Sequence, residues 1–96
     1  MKQQITKEQW DEIIDEQKLN LQKTVGRPNN ILFGKAKPEL FPNIGQMIEF
    51  LGDDFYTIHA IIDGYNVETV LNGWSDFTEK ELCDALWSAC KEKLSK

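Results

Sequence analysis

FYTIHAIIDGYNVETVLNGW, residues 55–74, is the stretch whose reading decides the fold. Two runs rich in β-branched and aromatic residues flank Asp63-Gly64, the strongest short signal for a β-hairpin. With those two residues as the turn, Ile62 faces Tyr65, Ala60 faces Val67, Ile58 faces Thr69 and Tyr56 faces Leu71. That set forms one largely apolar face. Phe55, Thr57, His59 and Ile61 then share the other face with Asn66, Glu68, Val70 and Asn72. Only one register gathers the apolar residues, so pairing is well specified. An isolated hairpin is marginal in water, so this one needs helices to pack on.

The flanking sequence supplies them. Thr6-Lys7-Glu8-Gln9 has the form of a capping box, with Ile5 and Trp10 placed as a hydrophobic staple across it. The stripe Trp10, Ile13, Ile14, Gln17 and Leu21 predicts one helix from about Lys7 to Lys23, stopped by Gly26 and Pro28. Asn43-Ile44-Gly45-Gln46 opens a short second helix, Ile44 to Leu51, that buries Ile44, Met47, Ile48 and Leu51 and ends at Gly52. Thr78-Glu79-Lys80-Glu81 repeats the capping box, with Phe77 and Leu82 as staple. It predicts a third helix from about Glu79 to Leu94, with Leu82, Cys83, Leu86, Ala89, Cys90 and Leu94 inward. The expected class is α+β in the order ααββα.

Ninety-six residues make a single small domain, just large enough to close one core. At 41% hydrophobic the composition is globular, with no internal repeat. MKQQITKEQW lacks the apolar region of a signal peptide and no run is long enough to span a bilayer, so the expected location is the cytoplasm. The segment from Val25 to Pro42 holds all three prolines and reads as a long loop. Within it NILFG, residues 30–34, is a candidate third strand along one hairpin edge. Failing that, Ile31, Leu32, Phe33, Leu40 and Phe41 are available to a partner.

Net charge is −5, and it is unevenly spread. No Lys or Arg falls between Pro38 and Glu79, where Glu39, Glu49, Asp53, Asp54, Asp63, Glu68 and Asp76 lie. A phosphate-tracking groove needs clustered cations, so direct nucleic-acid binding is disfavoured. An acidic middle suits a basic partner, or serves only to keep the chain dispersed.

Candidate chemistry is sparse. Cys83 and Cys90 are seven residues apart on a helix, about 10.5 Å along its axis, too far for a disulfide or one shared zinc. Both read as core thiols. His59, cross-strand from Glu68, is the one conventional general base, but no nucleophile motif stands beside it. Asp53-Asp54 lacks the alternation of a calcium loop, and GRPNNILFGK is not a phosphate-binding loop. No cofactor is expected. Of the three tryptophans, Trp74 is expected to close the core and Trp87 to be half exposed.

PNIGQMIEFLGDDF and ELCDALWSACKEKL resemble segments of small uncharacterised proteins encoded by tailed phages and prophages of gut bacteria. The resemblance spans residues 42–94, and it implies an accessory phage role, such as inhibition of a host defence protein. It implies no activity and no functional residues.

The expected function is that of a non-enzymatic acidic module for protein interaction. Its expected contact surface is Asp53, Asp54, Asp63, Glu68, Asp76, Phe33, Phe41 and Trp87, and the chain is expected to be a monomer or a homodimer paired through a free hairpin edge. One alternative is an inhibitor that presents carboxylates in place of nucleic-acid phosphates. A second is a small enzyme built on His59 and Glu68.

Overall fold

The computed structural model describes residues 2–25, 41–71 and 73–95. In chain order it contains α1 (Lys7–Trp10), α2 (Asp15–Val25), α3 (Ile44–Leu51), β1 (Phe55–Ile61), β2 (Gly64–Thr69), β3 (Ser75–Glu79) and α4 (Leu82–Leu94). A single 3-10 turn, Gly52–Asp54, joins α3 to β1. The strands form one antiparallel sheet in the order β1-β2-β3. The class is α+β, a hairpin extended by a third strand and packed on helices.

Local chemistry places the helix starts. Thr6 caps α1 with a complete capping box closed by Gln9, and Asn43 does the same for α3 with Gln46. At the far end of α3, Gly52 adopts φ 54° and donates to the Ile48 carbonyl. Lys93 Nζ donates to the Phe50 and Leu51 carbonyls at 2.7 and 3.2 Å, placing a cation at the negative end of α3.

Two predicted helix boundaries move. The single helix from Lys7 to Lys23 is instead α1 and α2, broken at residues 11–14. Glu12 and Ile13 donate to the Gln9 and Trp10 carbonyls in tight turns, and Gln17 Oε1 accepts from the Ile14 amide to open α2. The break lets Trp10 and Ile13 both reach the core at 7% exposure while Ile14 stands 63% exposed.

The last helix begins at Leu82 rather than Glu79, because residues 75–79 are a strand. Thr78 is not a helix cap. Its hydroxyl accepts from Asn66 Nδ2 on β2 at 2.8 Å, and the α4 cap position is Glu81, whose carboxylate accepts from the Lys2 amide. Candidate strand NILFG lies outside the described residues.

The hairpin register also differs. Ile61 pairs with Gly64, Ala60 with Tyr65, His59 with Asn66, Ile58 with Val67 and Thr57 with Glu68, so the turn is centred on Ile62-Asp63. Ala60 and Ile58 each pair two positions nearer the turn than expected, which keeps them on the inward face. Ile58 and Val67 therefore still point inward together. Ile62, by contrast, falls in the turn and Tyr56 in a bulge, where it leaves the face expected for it. Phe55 and Ile58 both pack on the core although three residues apart, and a β-bulge between Phe55 and Thr57 absorbs the extra residue.

The sheet lays β2 and β3 on α4, and α3 and α2 cover the other side of that helix. Helix α4 is thus buried on two sides: Cys83, Ala85, Leu86, Trp87, Ala89 and Cys90 are all at or below 1% exposure. Trp10 sits 6.4 Å, ring to ring, from both Trp87 and Phe41. Trp87 Nε1 donates to Glu12 Oε1 at 2.9 Å, satisfying its polar edge. No helix among the described residues is long and apolar enough to cross a membrane.

Candidate functional site

The expected contact residues scatter. Trp87 and Phe41 are core, 1% and 5% exposed, so neither belongs to a surface. Trp87 is buried because α4 is covered on both sides, and Phe41 because it packs on Trp10. Phe33 lies outside the described residues. Asp53 and Asp63 are exposed at opposite ends of β1, and Asp54 is ion-paired to Lys93 at 3.2 Å. Only Glu68 and Asp76 are brought together, directly opposite one another on β2 and β3.

Those two carboxylates lie on the sheet face turned away from the helices. Val67 and Thr69 are fully buried, so Glu68 and Val70, alternating with them, point the other way. His59 Nε2 meets Glu68 Oε1 at 2.7 Å on this face, diagonal to the Thr57–Glu68 pair. Like charges facing across a ladder repel, and the imidazole of His59 lies against Glu68 on its other side.

Two aromatic residues complete the face, and neither was expected there. Tyr56, placed by the bulge, and Trp74, just before β3, meet edge to face with ring centroids 4.8 Å apart. They stand on segments flanking β2, so their contact bridges its end. They remain 59% and 66% exposed, beside Val70 at 41%. Trp74 therefore does not close the core. Both positions depend on features that alternation hides, the bulge in β1 and the third strand. Asn72-Gly73, an ordinary hairpin signal, was the clue to that strand.

The strands β1, β2 and β3 contain neither Lys nor Arg, and His59 is their one basic side chain. Elsewhere, a depression of about 200 Å³ lies among Gln9, Glu12, Asp84, Trp87, Ser88 and Lys91. Three of its charged groups, Glu12, Asp84 and Lys91, are already engaged, and Glu79 also lines it. Asp84 accepts from Lys2 Nζ and Gln9 Nε2 at 2.6 and 2.7 Å, and Glu12 accepts from Trp87 and from Lys91 Nζ at 2.9 Å. Cys83 and Cys90 are free thiols at 0% exposure, and burial pushes the Cys83 thiol up to about 11 and Cys90 further still. Among the described residues no group of three His, Cys, Asp or Glu is arranged to hold a metal ion.

Comparison with protein families, with curated proteins and with solved structures finds no match to this chain.

Proposed function

We propose that the protein is a non-enzymatic interaction module whose contact surface is the outer face of the sheet, and that its partner is a protein with a basic surface. The supporting observation is the exposed Tyr56–Trp74 pair, set beside Glu68 and Asp76 on strands that carry no Lys or Arg. Exposed aromatic rings supply rigid contact area, and a neighbouring carboxylate pair attracts Arg and Lys side chains that also stack on such rings. Such a role would suit an accessory phage protein directed at a host factor. Nucleic-acid mimicry draws less support from the arrangement, because Asp53 and Asp63 stand at opposite ends and Asp54 and Glu68 are each held by a neighbouring side chain.

The test compares the wild-type chain with Tyr56→Ala/Trp74→Ala and with Glu68→Gln/Asp76→Asn, each immobilised and presented with host lysate. One basic protein should be retained by the wild type and weakened about tenfold or more by either pair of changes. Its binding should also weaken as salt rises. A partner held equally by all three, or indifferent to salt, would refute the proposal.

A further inference from the structure

The two edges of the sheet are differently protected. The β3 edge is short and carries Asp76 and Glu79, and such charges discourage pairing with another strand. The β1 edge runs from Phe55 to Ile61 and reads FYTIHAI. It contains no Lys, no Pro and no carboxylate. Its one irregularity, the bulge, is confined to the end at Phe55–Thr57.

Beyond that bulge the edge is regular. The two-residue turn makes Ile61 and Gly64 a hydrogen-bonded pair, and alternation along the ladder commits Ile61, His59 and Thr57 to β2. The N–H and C=O groups of Ile58 and Ala60 point to the outer edge. No described segment pairs with them. The hydrophobic residues at this edge are also exposed, with Ile61 at 46% and Ile62 at 99%.

We infer that the β1 edge is a self-association site, where two copies of this chain pair antiparallel about a two-fold axis to make one six-stranded sheet. The occupant is a second copy because this edge has no carboxylate, Lys or Arg of its own to set against its twin. The formal charge of −5 lies off β1, so these edges meet without opposing carboxylates, whereas two β3 edges would bring Asp76 and Glu79 together. One register uses both outward-facing residues and leaves the bulge outside: Ile58 of each copy faces Ala60 of the other, with the axis at His59. Like net charges oppose the approach of the two chains, so association strengthens with salt. That is the opposite of the salt response of the basic partner, and the dimer does not depend on the outer-face proposal.

Sedimentation equilibrium and residue-resolved amide exchange test this on the unmodified chain, diluted from about 500 to about 5 µM. The expected result is a dimer at the upper concentrations. The Ile58 and Ala60 amides should there exchange at least tenfold more slowly, and lose that protection on dilution. A monomer throughout would overturn the inference. So would protection that does not change with concentration, which would mean the edge is covered within one chain. Ala60→Lys places a charge on the exposed edge without touching the core and should yield a folded monomer. Persistence of the dimer in that variant would also overturn the site.

Discussion

Cys83 and Cys90 face the core from a helix covered on both sides, and burial holds both in the thiol form. Because the thiolate is the reactive species, neither should react readily while the chain is folded. Alkylation at about pH 8 should proceed at least tenfold more slowly in the native chain than in denaturant, with both sites labelling together on unfolding. Fast labelling of the native chain would contradict the packing. Trp87, four residues beyond Cys83, shows why one-stripe reasoning underestimates burial here. A periodic stripe assumes one buried face, whereas α4 has the sheet on one side and α3 and α2 on the other. The small residues Ala85 and Ala89, both fully buried, were the signal in the sequence that α4 is enclosed.

At the scale of elements, the misplaced hairpin turn and the unexpected strand have one cause. Asp63-Gly64 was read as the turn because glycine is free to adopt positive φ there. In the structure Gly64 opens β2, and a Cβ on it would lie 2.3 Å from the Glu79 carbonyl oxygen. The glycine is required by the close approach of β3, a contact that no local pattern reveals. Gly64→Ala should therefore cost about 1–3 kcal/mol in chemical denaturation, since backbone rather than a flexible side chain must yield. A neutral result would place the end of β3 farther away. Thr78→Ala should change stability by less than about 0.5 kcal/mol, because Thr78 makes an exposed cross-strand bond and caps no helix. Thr6→Ala and Asn43→Ala, at the two complete capping boxes, should each cost about 1 kcal/mol. The capping boxes at Thr6 and Asn43 were legible because their partners lie three residues away. The capping motif at Thr78 has equally good local chemistry, but pairing of β3 with β2 outcompetes it.

For the molecule as a whole, charged side chains tie the N-terminal segment to α4, and acid should loosen that tie. Lys2 and Gln9 donate to Asp84, while Trp87 and Lys91 donate to Glu12 in the break between α1 and α2. Glu12 is held below its ordinary value of 4.5, first by the bond from Lys91 and then by that from Trp87. Asp84 is pushed up by burial, but the bonds from Lys2 and Gln9 outweigh that and leave it below 3.8. A carboxylate whose folded pKa is depressed contributes stability above its unfolded pKa and loses it as pH falls through the folded value. Both contributions are therefore intact at neutral pH and disappear in the window below about pH 4.5. The Glu12 side chain is 47% exposed, so solvent screening holds its ion pair with Lys91 to about 1 kcal/mol or less. Protonation weakens the ion pair but leaves a carbonyl oxygen to accept from the Trp87 indole, so the break segment is loosened on α4 rather than released, while the sheet remains packed on the opposite side. Between about pH 5 and pH 3 the melting temperature should fall, and amides of residues 7–14 should lose protection before those of β2. Glu12→Gln keeps the shape and an acceptor for Trp87 but removes the titrating charge. Its melting temperature should be lower than wild type at neutral pH and should change less across the same acid window. An unchanged slope would show that acid acts elsewhere in the molecule, not through the contact between the N-terminal segment and α4.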